Sequence, residues 1–414
     1  MAQTRHITLP QGFLAAGVKC GIKESGREDL AVIVGQQMVS AAVLTTSNQV
    51  VGAPVLWCRK VLPAGFGWIR GIVVNSGCSN VCTGRQGERD AAEMAALAGR
   101  LVGAEPAEML VASTGIIGRR LPMAKVRSGI RAAVEALGRR DDPAVVRAIM
   151  TTDTRQKSAV ARVRMGGETV TVAGIVKGAG MICPSLAGPP PRGGSRPGAC
   201  ATMIAVLTTD AVIAPRPLYA AFKKAAPTSF NAVTIDSDQS TSDTAVVMAS
   251  GLAGSRIVPG SAAARRFAAA LAEVCHSLAV AMARDGEGAT KLIQVNVTGA
   301  VTSRQAEIVA RAVANSPLFK CAVHGGDPNW GRILAAAGKS PAKVRPERLS
   351  VRIGGVAVFA RGVPKRLNLR RVEQYLAGNS VLVELDLGLG KGRFTAYTCD
   401  LSARYVAINA EYHT

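Results

Sequence analysis

The stretch Gly198-Ala199-Cys200-Ala201-Thr202-Met203 sets a threonine behind small side chains and at the head of an apolar run that continues to Leu207. A threonine hydroxyl is a poor nucleophile by itself. If the chain breaks between Ala201 and Thr202, however, Thr202 gains its own α-amine, a base within reach of its hydroxyl. Such an amine titrates near ~8, so a good part of it is unprotonated at neutral pH. On these residues alone an ordinary threonine opening a buried strand is the stronger reading. The remainder of the chain decides between the two.

The run after Thr202 reads as a strand over residues 203–209, and the segment before it, Gly188 to Gly198, is too rich in proline and glycine for helix or strand. An exposed loop therefore leads directly to the candidate break. Further strands are expected at 170–175, 293–300, 349–353, 356–360, 381–387 and 393–398, most of them after Thr202. Residues 89–102 read as a helix stopped by Gly103, and Asp142-Pro143 opens another. The clearest helix covers 262–284, where Phe267, Leu271, Val274, Leu278 and Met282 recur at three- and four-residue spacing on a face that must be core. Strands alternating with amphipathic helices indicate an α/β fold of mixed sheets packed with helices, and 414 residues suffice for two domains or one large body.

The formal charge of +22 raises nucleic-acid binding as a function class, but the basic residues are scattered, aromatic content is 4%, and no zinc-finger or helix-turn-helix spacing occurs. No nucleic-acid partner is expected; a basic surface also favours anionic metabolites. Nine cysteines at 20, 58, 78, 82, 183, 200, 275, 321 and 399 include no C-x-x-C pair, and the four histidines supply no matching ligands, so no metal is assigned. Buried or half-buried thiols in a reducing compartment are expected. No apolar stretch approaches a bilayer span and the start carries no signal-like segment, so a cytoplasmic protein without a membrane partner is the expectation.

Other groups of residues fall into a recognisable order. Asn75-Ser76-Gly77, Ser113-Thr114-Gly115-Ile116-Ile117-Gly118, Thr151-Thr152-Asp153-Thr154 and Lys177-Gly178-Ala179-Gly180-Met181-Ile182-Cys183-Pro184 precede Ala201-Thr202-Met203. Thr208-Thr209-Asp210-Ala211, Asp285-Gly286-Glu287-Gly288-Ala289-Thr290-Lys291, Asp327-Pro328-Asn329-Trp330-Gly331-Arg332 and Tyr405 to Thr414 follow it. Each is weak alone. Together, and from Gly12-Phe13-Leu14-Ala15-Ala16-Gly17 to the last residue, the chain resembles the ornithine acetyltransferase family, the glutamate N-acetyltransferases of arginine biosynthesis.

The resemblance implies a self-processing architecture of the N-terminal-nucleophile-like kind. The precursor would cleave itself at Ala201/Thr202 into an alpha chain, 1–201, and a beta chain, 202–414, that stay associated as a heterotetramer of two alpha and two beta chains. Thr202 would then take the acetyl group from N-acetylornithine and pass it to glutamate, a ping-pong scheme through acetyl-threonine. Thr114 and Gly115 are implied as the oxyanion donors, a role that suits a turn in which glycine lets N–H groups converge and a hydroxyl adds another. Lys177 suits a substrate carboxylate or carbonyl, and Glu287 a substrate ammonium. Asn409 and Thr414 match substrate contacts of the family, and Thr151 or its neighbour Thr152 completes the pocket, with Thr151 preferred. No cofactor is implied, and the sequence leaves open whether acetyl-CoA also serves as donor.

The chain departs from the family in three places. About fourteen extra residues separate Ser185-Leu186-Ala187 from Thr202; Cys78-Ser79-Asn80 stands where Asn-Ala-Asn is usual, and Ser237 where glycine is usual. The acidic stretch Asp236 to Asp243 is read as structural, and Gly388 to Arg393 as a strand connection lacking the spacing of a phosphate-binding loop. A self-processing aminopeptidase or amidase of related fold, in which water resolves the acyl-enzyme, is the competing enzyme reading.

Overall fold

The computed structural model describes residues 7–139, 142–165, 167–188, 203–238, 240–365 and 369–411. They divide into two compact units, one holding the residues up to Asn231 with Asp238–Ala279, the other Ala232–Ser237 with those from Val280 onward.

The first unit is built on strands β1 (Phe13–Val18), β2 (Leu30–Thr45), β3 (Phe66–Cys78), β4 (Met109–Ile116), β5 (Lys157–Met165), β6 (Glu168–Lys177), β7 (Ile204–Ala211) and β8 (Thr244–Ala253). They form one sheet in the order β4-β3-β2-β8-β7-β6-β5, with β1 added against the first half of β2. β3 pairs with β4, and β7 with β8, in parallel; the other neighbours are antiparallel. Its helices are α1 (Ala53–Val61), α2 (Gly84–Val102), α3 (Met123–Glu135), α4 (Asp142–Ile149), α5 (Pro215–Ala225) and, as far as Ala279, α6 (Ala262–Arg284).

Alternate residues of the central strands enter two different cores. Ala31 and Ile33 of β2 join Ile72, Leu110 and the α4 residues Val145 and Ile149 on one face. Leu30 and Val32 join Val73, Val111, Met94 of α2 and Ile130 of α3 on the other. Strands buried on both faces read as continuous apolar runs rather than alternations. That is why β2, β3 and β4 escape the sequence pattern; the expectation that most strands follow Thr202 holds narrowly among the described residues, with eight of the fourteen after it.

The 262–284 helix is α6, and Phe267, Leu271, Val274, Leu278 and Met282 are all buried. By length and composition it could cross a bilayer, which departs from the expectation of no such segment. Its buried stripe is instead that of a core helix. Gly174 of β6 permits the close approach, since a Cβ there would lie 2.9 Å from Leu278 and 3.1 Å from Val274. Helix α2 ends at Gly103 in the left-handed conformation, as expected, but starts five residues before the expected 89.

The second unit has strands β9 (Leu292–Ala300), β10 (Ser350–Ile353), β11 (Val356–Ala360), β12 (Val363–Pro364), β13 (Ser380–Asp386) and β14 (Gly392–Cys399), in the order β12-β11-β10-β13-β9-β14. Its helices are α7 (Ser303–Ala314), α8 (Pro317–His324), α9 (Trp330–Gly338), α10 (Leu369–Leu376) and α11 (Ala403–Glu411). Val295, Val297, Val381, Val383 and Leu385 enter one core, whereas the intervening Gln294, Asn296 and Glu384 stay half-buried. This sheet shows the two-residue period that sequence reading detects. The Asp327 to Arg332 motif proves architectural: Asn329 caps α9 by accepting the Arg332 N–H, and Trp330 stacks on Phe359 at 5.2 Å. Gly388 to Arg393 joins β13 to β14 as expected.

Two thiols correct the expectation of burial. Cys82 is exposed in a left-handed turn before α2, and Cys321 is exposed on the face of α8 opposite Phe319 and Val323. Burial pushes the Cys58 thiol up to about 12, so it is an inert core residue.

Candidate active site

Two quoted motifs meet at the ends of the parallel strands β3 and β4, where Asn75, Ser76 and Gly77 stand beside Ser113, Thr114 and Gly115. The Ser113 hydroxyl donates to Asn75 Oδ1 at 2.6 Å, and Asn75 Nδ2 donates to the Cys78 carbonyl at 2.8 Å. Gly115 has φ +123°, and a Cβ there would lie 2.4 Å from the Gly77 carbonyl carbon. Only glycine fits both the dihedral and the gap.

Lys177 ends β6 and is 2% exposed, not the solvated surface lysine its glycine-rich surroundings allow. Its Nζ donates to Thr151 Oγ1 at 2.9 Å and to Thr114 Oγ1 at 3.3 Å. An ammonium has donors only, so both hydroxyls accept from it and keep their own hydrogens to donate elsewhere. The lysine thus turns two neutral threonines into polarised donors. Between Thr151 and Thr152, it is Thr151 that Lys177 reaches.

Asp153 holds this arrangement in place. Its Oδ1 accepts from Lys157 Nζ at 2.6 Å and from the Gly178 N–H at 2.7 Å, while Oδ2 accepts the Thr151 N–H at 3.0 Å. One carboxylate therefore ties the residue after Lys177 to the backbone of Thr151. Burial alone would raise the Asp153 carboxyl; Lys157, Lys177 and the Gly178 N–H outweigh it and hold the group well below the usual carboxylate range. Asp153 and Lys157 are both buried, so removing either strands a charge inside the protein.

β6 and β7 pair with Lys177 opposite Ile204, so the start of β7 is anchored beside the lysine. The Met203 N–H donates to Oδ1 of the buried Asp243 at 2.7 Å, and the Met203 carbonyl accepts the Thr244 N–H at 3.1 Å. The residue directly following Thr202 is thus fixed from both sides. Ala201 and Thr202, the loop before them, and Thr414 lie outside the described residues.

A cavity of about 980 Å3 lies against Thr151, Thr152 and Asp153, with Lys19, Lys23, Arg27, Glu28 and Arg147 also in its wall. The loop carrying Lys23 is shaped by buried Asp29, which accepts the N–H groups of Cys20, Ile22 and Lys23 at 2.7, 2.6 and 3.1 Å. Lys23 Nζ donates to the carbonyls of Glu28 at 2.7 Å and Arg147 at 3.1 Å.

In the second unit, Asn409 of α11 donates through Nδ2 to Glu287 Oε2 at 2.8 Å and to the Tyr405 carbonyl at 3.0 Å. Gly288, at φ +68°, lets the Glu287 loop press against the start of α11, where a Cβ would lie 2.6 Å from the Tyr405 nitrogen. The Ser402 hydroxyl donates to the Gly288 carbonyl at 2.7 Å and closes the join. Glu287 is 7% exposed, whereas Asn409 is on the surface.

The described site residues form two groups: Thr114, Gly115, Thr151 and Lys177 in the first unit, and Glu287 with Asn409 in the second. Asp153, Lys157 and Lys23 went unassigned in sequence, and Asp243 was read only as part of a structural acidic stretch. Asp153 stood inside a quoted motif, one residue from the threonines considered. Lys157 and Lys23 carry no local signal, because a lysine at a strand start or in a polar loop reads as solvated charge.

Comparison with known proteins agrees with the resemblance. The chain is 44% identical to the arginine biosynthesis bifunctional protein ArgJ of Symbiobacterium thermophilum over 411 residues, 99% of this chain and 98% of that protein. It is likewise 44% identical to the protein of the same name from Geobacter sulfurreducens over 410 residues, 98% and 99% of the two chains. A crystal structure of ornithine acetyltransferase complexed with ornithine, from Mycobacterium tuberculosis, matches at 38% identity and a TM-score of 0.39, over 44% of this chain and 96% of that one. With the ArgJ family matching residues 14–414, the chain belongs to the ArgJ family.

Proposed function

We propose that this protein is a glutamate N-acetyltransferase of arginine biosynthesis, which moves the acetyl group of N2-acetyl-L-ornithine to L-glutamate. The observation that carries the reading is the Lys177 ammonium donating to both the Thr114 and Thr151 hydroxyls beside the start of β7. In the first half-reaction the Thr202 hydroxyl adds to the acetyl carbonyl, its proton passes to the leaving nitrogen, and ornithine departs to leave an acetyl ester. In the second the amine of glutamate adds to that ester, and N-acetylglutamate leaves as Thr202 recovers its proton. Each addition places negative charge on the carbonyl oxygen. The Thr114 hydroxyl and the Gly115 N–H are the donors proposed for it, each worth about 3 kcal/mol in the transition state. Glu287, Asn409 and Thr414 are assigned to substrate binding with Thr151 and Lys177.

Thr202 acquires its amine when the chain cuts itself: the hydroxyl adds to the Ala201 carbonyl, the amide becomes an ester, and water releases Ala201. The sheet explains why such fragments would remain together. Residues 1–201 supply β1 to β6 and residues 202–414 supply β7 and β8, yet β8 lies between β2 and β7, and β7 between β8 and β6. Separation would break the β2–β8 and β6–β7 ladders at once. A heterotetramer of two alpha and two beta chains in the cytoplasm completes the proposal. The aminopeptidase alternative is not favoured by the family match.

The denaturing intact mass of purified protein tests the self-cleavage. Two chains divided at Ala201/Thr202 in wild type, and one inactive chain in Thr202→Ala, are expected. A wild-type chain that stays whole while transferring acetyl groups would overturn it.

A further inference from the structure

Glu287 and Asn409 are placed by polar contacts rather than by the packing of a shared core. Glu287 stands between Gly286 and Gly288 on the loop from α6 to β9, and α11, which carries Asn409, buries none of its residues. A side chain flanked by glycines is costly to hold in one conformation. Contacts outside the pair must therefore fix both of its members, and one buried carboxylate reaches the supports of each.

Asp400 lies between β14 and α11 and is 2% exposed. Its Oδ1 accepts the N–H groups of Thr290 and Lys291 at 2.8 and 2.7 Å, and its Oδ2 accepts the Thr290 hydroxyl at 2.6 Å. The Asp400 N–H donates to the Lys291 carbonyl at 3.2 Å. The loop is thus fixed just beyond Glu287. On the other side of Asp400, the Ser402 hydroxyl donates to the Gly288 carbonyl, and the Ser402 carbonyl accepts the Tyr405 N–H at 3.1 Å as α11 begins. The contacts close a ring that runs from Glu287 along the loop to Asp400, through Ser402 into α11, and back from Asn409 to Glu287.

His324, the last residue of α8, joins this ring from outside, with Nδ1 2.6 Å from Asp400 Oδ2. Lys291 holds the same end of α8, donating through Nζ to the carbonyls of Val323 at 2.8 Å and His324 at 3.3 Å. Burial alone would raise the Asp400 carboxyl; the Thr290 and His324 hydrogen bonds, with the two backbone N–H groups, outweigh it and hold the group below the usual carboxylate range. An ionised carboxylate only accepts, so His324 donates from Nδ1.

We propose that Asp400 and His324 are positioning residues for substrate binding, which fix the Glu287 loop and the Asn409 helix to each other before the substrate ammonium arrives. A loop ordered in advance loses less freedom on binding, so the clamp acts on affinity rather than on the chemical step. The proposal rests on the acetyltransferase reading above, in which the ammonium that meets Glu287 is the side chain of N-acetylornithine.

A double-mutant cycle in steady-state kinetics on the full-length protein tests this. His324→Phe should raise KM for N-acetylornithine by roughly 3- to 10-fold at nearly constant kcat. His324→Asn, whose amide can offer an N–H where Nδ1–H stood, should recover most of that loss. Thr290→Val removes only the hydroxyl donated to Asp400 from the loop side and should act as His324→Phe does. In a Glu287→Gln background either change should add less than about twofold, because the pair it serves is already weakened. Equal rises in KM in both backgrounds, a fall in kcat as large as the rise in KM, or His324→Asn no better than His324→Phe would overturn the assignment. Should His324→Phe fail to fold, Thr290→Val alone decides. A wild-type protein that makes no N-acetylglutamate removes the acetyltransferase reading itself, and that result appears before any variant is compared.

Discussion

The two groups of site residues are held in opposite ways. Lys177, Thr114, Thr151 and Asp153 form a continuous hydrogen-bonded network at the ends of sheet strands, with Lys177, Thr114 and Asp153 almost completely buried. Buried Glu287 meets surface Asn409 in a single half-buried pair between a glycine loop and the last helix, and α11 buries none of its residues. A buried, fully paired network cannot rearrange cheaply, so its donors are already oriented before charge develops. A pair with one partner on the surface can yield to a ligand that competes for it. The contrast fits a division of labour in the proposed reaction: the first group would present fixed donors to developing charge while Thr151 and Lys177 also meet the substrate, and the second would serve substrate binding alone.

The largest expected effect comes from Lys177→Met, which removes the charge that polarises both hydroxyls and one of the cations beside Asp153. A fall in kcat of about a thousandfold or more is predicted, with circular dichroism to check folding. Thr114→Val keeps the shape and loses one donor, so kcat should fall ~100-fold with KM nearly unchanged. Glu287→Gln should behave in the reverse sense, raising KM about tenfold at nearly constant kcat. A kcat loss in Glu287→Gln as large as that of Thr114→Val would erase the contrast.

The smallest effect is a pH signature of stability confined to the buried group. The folded protein holds the Asp153 carboxyl below its unfolded value, so its contribution is full above the unfolded value near 4 and is lost as pH falls toward the folded one. Melting temperature followed downward from neutral pH should therefore drop below about pH 4. Asp153→Asn should melt lower at neutral pH and lose part of that acid slope. An unchanged slope would show that Asp153 is not held as described.

The same two regions differ in how much the sequence reveals. β9 and β13 were legible because one face is buried and the other is not, leaving a period of two in the side chains. β2, β3 and β4 were not, since Ala31 and Val32, or Ile72 and Val73, are equally apolar and point into different cores. At the site, Thr114, Gly115, Thr151, Lys177, Glu287 and Asn409 were reached through ordered motifs rather than local chemistry. What those motifs could not supply was the scaffold: Asp153 matters because β6 brings the Gly178 N–H to it, and Asp243 because β8 lies beside β7. Such roles arise from non-local pairing, which has no sequence spacing to read.

The central claim is that Thr202 carries the acetyl group. Wild-type protein incubated with N-acetylornithine and no glutamate, then denatured and weighed intact, should show one acetyl group on the 202–414 fragment. Peptide mapping should place it on Thr202, and glutamate should discharge it as N-acetylglutamate. An acetyl group that never appears there while turnover proceeds, or that resides on another residue, would contradict the account.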